Sequence, residues 1–291
     1  MLLKLLQREL RIASRGRRAW RSPRPQTRLM RATKRQRLKM VQLKGLFKLA
    51  PTAAIKYFKK KGQTYTWDWY ELWQDAHKKT FTVAKVMRED ILKDIRSALD
   101  KALEEGKTFQ EFQKELKPTL QKKGWWGEQI VVDTQGNAEK VQLGSMYRLK
   151  TIYAVNMQTS YMTGRYKTQM DNTDNRPYWE YVAVLDSKTR PEHAQLHGLV
   201  YRYDDPFWAS FYPPNGWRCR CRVNALSNYN LQKKNIKPSD STGTLSQEMR
   251  LVSKKSGEYK PVTVYTDPLT GKKIAPDVGW SHNPASGFSE G

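Results

Sequence analysis

The sequence predicts an α+β fold, in which a helical N-terminal half is followed by a compact C-terminal module with a small mixed or antiparallel sheet. Apolar residues recur at helical spacing from about residue 41 to residue 170. From residue 178 onward the pattern turns strand-like, with alternating stretches rich in aromatic and β-branched residues. Turn-forming stretches, PPNGW at 213–217 and DPLTGKK at 267–273, separate these runs as short strands require.

The first forty residues are a different material from the rest. They hold fourteen Lys or Arg against one acid, Glu9, so they supply +13 of the formal +25 of the 291-residue chain. With SPRPQ as a break and no sustained periodicity, residues 1–40 read as a basic arm that is disordered or folds on contact. Three readings fit it: a nucleic-acid tether, an Arg-rich presequence, and a start codon assigned too early, with Met40 as the start.

The helices follow in order. FKLAPTAAIKYFKKKG (47–62) places Ala53, Ala54 and Phe58 near one face and stops at Gly62. WDWYELWQDAH (67–77) has Trp69, Leu72, Trp73 and Ala76 at helical spacing, read as core rather than as a base-stacking platform. Met87, Ile91, Ile95, Ala98, Leu99, Ala102 and Leu103 form the clearest stripe, ending at Gly106. Thr108 and Glu111 then have capping-box spacing ahead of Phe112, Leu116 and Leu120. A turn and strand pair over 122–141 leads to a long helix from about Ser145 to Met170, whose Asn156 on the apolar stripe is expected to fix a neighbouring loop.

Strands are expected at YWEYVAVLD (178–186), LVYRY, WRCRCRV and YKPVTVY, and a loose tail at HNPASGFSEG (282–291). The chain thus divides into an arm (1–40), a helical region (41–140), a core module (141–230) and C-terminal strands with a tail (231–291).

Both cysteines of the chain lie in PPNGWRCRCRV, one residue apart. A disulfide across one residue strains bridge geometry, so the pair is reduced or holds something. Pro191 suits a helix start, Thr189 and Glu192 have capping-box spacing and Gly198 suits a stop, giving a short helix over 190–197 that sets His193 and His197 on one face. Cys219 and Cys221 share a strand face. These four residues form a candidate structural zinc set, against the alternative of small buried thiols in a tight strand. No residue is selected as catalytic: Glu192 and Asp186 are nearby, but nothing picks either as a base, and a Cys–His pair lacks a third orienting group. Arg218, Arg220 and Arg222 point away from the sulfurs, as candidate phosphate contacts or partners of Asp204 and Asp205.

The charge points to a polyanionic partner. Ten tryptophans and fifteen tyrosines speak for a folded body. No apolar run approaches the roughly 20 residues of a membrane span, and MLLKLL is interrupted by Lys4, unlike a secretory signal, so a cytoplasmic origin without a membrane partner is expected.

The run YVAVLDSKTRPEHAQLHGLVYRYDDPFWASFYPPNGWRCRCRVNALS (181–227) resembles the signature of the phage Mu F-like minor head protein family, also called the phage head morphogenesis family. The likeness extends over roughly residues 43 to 287 and leaves out only the basic arm. By position Asp186, Thr189, His193, Gly198, Pro213, Pro214, Trp217, Cys219 and Cys221 correspond to the family's motif. His197 is the least dependable member of the zinc set, and without it three ligands would remain. The resemblance implies a minor structural protein of a tailed-phage or prophage head, present in few copies and without established catalysis. Its expected place is the virion, at the head interior or portal vertex, after assembly in the host cytoplasm. Implied partners are the portal protein, other head proteins and double-stranded DNA held without sequence reading. The rival is a metal-dependent hydrolase or nuclease built on His193, His197, Cys219 and Cys221.

Overall fold

The computed structural model describes residues 52–132 and 138–286. The basic arm, Met40, the hairpin tip at 133–137 and the last five residues lie outside the described residues.

Helix α1 (Thr52–Lys60) buries Ala54, Tyr57 and Phe58. Two short elements follow, strand β1 (Gly62–Gln63) paired in parallel with β2 (Thr80–Phe81), and between them the single turn α2 (Ala76–Lys79). The stripe read from the sequence becomes α3 (Glu89–Glu105), which buries Ile91, Leu92, Ile95, Leu99, Ala102 and Leu103 and ends at Gly106 in the left-handed conformation (φ 65°). The capping box forms as expected: Thr108 accepts from the Glu111 backbone N–H, and the Glu111 carboxylate accepts from Thr108 N–H at 2.7 Å, starting α4 (Phe109–Lys122). Together with Leu149 and Met157 these helices enclose a first, largely aliphatic core.

An antiparallel hairpin, β3 (Glu128–Val132) and β4 (Ala138–Gln142), leads into α5 (Met146–Met170), which Ser145 caps through the Arg148 backbone N–H. Helix α5 closes the first core with its N-terminal half and enters a second, aromatic core through Met162 and Tyr166. The described residues on both sides of residue 140 belong to one compact unit.

The second core packs on a three-stranded antiparallel sheet of order β6-β5-β7: β5 (Tyr178–Val182), β6 (Val200–Arg202) and β7 (Arg222–Leu226). Between these strands run the short helices α6 (Pro191–Gln195) and α7 (Phe207–Phe211), the latter stacking Phe207 and Phe211 at 4.6 Å. Helix α8 (Asn228–Lys234), capped by Ser227, follows. A second antiparallel sheet, β10-β9-β8, comprises β8 (Leu245–Ser253), β9 (Glu258–Thr266) and β10 (Lys273–Ile274).

Several sequence expectations change. WDWYELWQDAH is not a helix before Ala76, because the Glu71 carboxylate accepts the backbone N–H groups of Trp67 (3.1 Å) and Asp68 (2.8 Å) and so holds a turn. Trp69 and Trp73 are only half-buried. Thr189 does not cap α6. Its hydroxyl turns back to Val184 O and to Asp186 Oδ1 (3.2 Å), and Arg190 takes the cap position. Asn156 donates to Ile152 O of its own helix (2.8 Å) rather than to a loop. Residues 282–285 are no loose tail: they are buried, and Asn283 N–H donates to Ala209 O (2.7 Å).

Candidate metal centre

The cysteines sit just before β7 rather than inside it, yet the in–out alternation expected of a strand persists. Cys219, Cys221 and Val223 are buried, while Arg220 and Arg222 are exposed. The buried Pro213–Pro214–Asn215 segment aims this stretch. Asn215 is fully buried, donates to Ser210 O (3.2 Å) and accepts the Tyr181 hydroxyl (3.0 Å), so side chains rather than a ladder hold the turn. Gly216 is there for space, since a Cβ would lie 2.3 Å from Asp277 Oδ2. Asp277 is itself pinned by Arg190 at 2.9 Å.

Opposite, α6 points His193 inward. Gly198 adopts φ +84°, which only glycine takes without strain, and its N–H donates to Tyr181 O (2.8 Å), returning the chain to the sheet. The result is a close triad in which His193 Nδ1 lies 3.7 Å from Cys219 Sγ and 3.6 Å from Cys221 Sγ. All three ligand atoms fall within 4.8 Å of one another, and His193, Cys219 and Cys221 are 3%, 4% and 2% exposed. With Zn–S of about 2.3 Å and Zn–N of about 2.0–2.1 Å, the N-to-S edge of a tetrahedron is about 3.6 Å. The donor set and spacing therefore fit zinc, with one position left beyond these three. His193 Nε2 is buried and has no hydrogen-bond partner among the described residues.

The electrostatics suit a cation. The hydrogen bond from Cys219 holds the Cys221 thiol well below the usual range, helped by His193 and Tyr181, while the same bond and burial push Cys219 up. The thiolate is the metal-binding form.

His197 does not join the triad. It is exposed, and its Nδ1 accepts the Ala183 backbone N–H (3.2 Å), so the four-ligand set does not assemble. The three arginines divide. Arg220 grips Asp186 with two bonds of 2.7 and 2.6 Å, and its guanidinium holds that carboxyl far below the usual carboxylate range. Arg218 lies over the Tyr147 ring (4.4 Å) and donates to its hydroxyl (2.9 Å). Arg222 is exposed with no ion pair to another described residue. Asp204 pairs with Arg202 and Asp205 binds the Phe207 N–H and Ser241, so neither meets the cysteine-flanking arginines.

The motif positions thereby acquire structural jobs. Asp186 and Thr189 form a turn, with Asp186 Oδ1 accepting Lys188 N–H (3.0 Å), which Arg220 staples to the cysteine segment. Trp217 packs edge-to-face on Trp69 (6.0 Å) and Trp280 (5.2 Å). Three side chains of α5 that the sequence reading passed over secure the same segment from beneath: Gln158 donates to Cys221 O (2.9 Å), and Arg165 and Gln169 both donate to Val223 O (2.9 Å each). Their polar interruption of the helical stripe was the available signal.

Residues 93–224, which include the whole triad, match the family described as Phage Mu protein F like protein. In that segment the chain belongs to the phage Mu F-like family. It is 49% identical over 243 residues to "Putative capsid assembly protein F" of Escherichia phage Mu, covering 82% of this chain and 55% of that protein. It is 44% identical over 223 residues to "Mu-like prophage FluMu F protein" of Haemophilus influenzae, covering 76% and 53%. The chain spans about half the length of these curated relatives. No solved structure matches it.

Proposed function

We propose that this chain is a structural protein of a tailed-phage or prophage head, acting in head assembly at the interior or portal vertex and contacting packaged DNA through charge alone. The observation that carries the reading is the 49% identity, over 82% of the chain, to a protein named for capsid assembly. The formal charge of +25 supports the DNA contact, since phosphates are neutralised without base recognition.

On this reading the triad is a clasp, in which His193, Cys219 and Cys221 hold a structural zinc that ties α6 to the segment before β7. Three protein ligands with a further position is also the pattern of catalytic zinc. Two features favour the clasp over the hydrolase. The ligands are buried under a packed aromatic core. No carboxylate among the described residues belongs to the cluster, and Asp186 is committed to Arg220.

Peptide mass spectrometry on gradient-purified heads tests the assembly role. Peptides of this chain in both DNA-filled and DNA-free heads are expected, and their absence from particles despite abundance in the lysate would overturn it. Filter binding checks the DNA contact: affinity should fall steeply with salt and be indifferent to sequence, and no binding at low salt would remove that part.

A further inference from the structure

A cavity of about 520 Å³ opens between α1, the α2–β2 segment, the N-terminal half of α5, the Trp217–Arg218 turn and residues 279–284. It does not include the three residues of the triad. Its volume is in the range of small-molecule sites. Among its lining residues is Lys61, 9% exposed, whose ammonium donates to His77 O (2.6 Å) and sits over the Tyr57 ring (4.8 Å). No carboxylate among the described residues pairs with it, and Arg96 adds a like charge. Buried ammonium groups are ordinarily paired, because desolvation without a counter-charge is costly.

Beside it His282, 7% exposed, lines the cavity with a buried Nδ1 that has no partner among the described residues. Burial and Arg96 push Lys61 down to about 7, the direction an unmet counter-anion produces. Arg148, Arg190 and Arg218 also line the cavity, and no acidic side chain among the described residues does. Arg148 is spent on backbone carbonyls, Arg190 on Asp277 and Arg218 on Tyr147, so they add positive potential rather than free donors. Trp69, Trp217 and Trp280 line the same cavity and pack edge-to-face on one another, supplying flat apolar wall.

A buried amine without a counter-charge and an imidazole without a partner, in one cavity with three indoles, call for a ligand with an anionic group and an aromatic ring. We propose that this cavity binds a nucleoside phosphate, with the phosphate at Lys61 and His282 and the base against the tryptophans. The same chemistry is offered by a free nucleotide and by the terminal nucleotide of a DNA strand. The proposal does not rest on the head-assembly reading.

The test titrates the full chain with nucleoside 5′-monophosphates, with a short 5′-phosphorylated single-stranded oligonucleotide and with inorganic phosphate, read by tryptophan fluorescence and calorimetry. Saturable binding of the mononucleotide, at a Kd below about 1 mM, is expected, with Lys61→Met weakening it about tenfold or more and inorganic phosphate binding far more weakly. Lys61→Met removes a buried charge while keeping the volume, so its melting temperature should hold or rise. His282→Gln provides a second variant with the same expected loss should the first fail to fold. Binding of the oligonucleotide alone, lost in the same variants, also supports the proposal and assigns the site to a strand end. No saturable binding of either nucleotide form, binding indifferent to both substitutions, or equal affinity for inorganic phosphate would overturn it.

Discussion

Gly216 shows how tightly single residues determine the centre. Its missing side chain admits the Asp277 carboxylate, which anchors Arg190 one position before α6. Gly216→Ala should cost about 1–3 kcal/mol by overpacking, measured by urea denaturation. Because the clash is with Asp277, a Gly216→Ala/Asp277→Ala double variant should be less destabilised than the sum of the two single changes. At this scale the sequence was partly legible: Cys219, Cys221 and His193 could be grouped from spacing, but His197 could not be excluded. The helix expected over 190–197 would place it on the same face as His193, but α6 ends at Gln195 and His197 accepts the Ala183 N–H instead.

Helix α5 is the element that joins the two halves, and it does so with polar side chains. Gln169, 6% exposed, donates to Val223 O and accepts the Tyr212 hydroxyl (2.7 Å). Gln169→Leu should therefore cost about 1–3 kcal/mol for each buried group it leaves unpaired, seen as a lowered urea midpoint at unchanged slope. Elements whose own pattern decides them, such as α3 with its single stripe and left-handed glycine stop, were readable in advance. The Trp67–Asp75 stretch was not, because apolar spacing says nothing of the Glu71 carboxylate that captures its backbone. Strand β8 was missed for a similar reason: its Met249 and Leu251 are exposed, and only pairing with β9 defines it.

At the scale of the whole molecule, segments distant in sequence close one body, and the half-buried His77 and buried His282 make it sensitive to acid. Burial holds His77 down at about 4 and His282 at about 3. Both are neutral in the fold, whereas the unfolded chain protonates near pH 6.5, so the unfolded state binds more protons below that point. Their contribution is present above about pH 6.5 and is lost as pH falls toward 4. The melting temperature should thus drop between pH 7 and 4.5, and the drop should be shallower in His282→Gln. The packing of residues 282–285 that creates this sensitivity was hidden in the sequence, since its polar composition reads as a tail until Ala209 and Tyr57 supply partners. The most direct test of the central claim, a head-assembly chain held by a His–Cys–Cys clasp, is zinc content and melting temperature of the full chain and of His193→Ala and Cys219→Ser. The account predicts one zinc per chain, its loss in both variants and on chelation with a clear fall in melting temperature, and no turnover on DNA or peptide substrates. A metal-free chain that melts unchanged in both variants, or variants that fold normally but lose a measurable turnover, would contradict it.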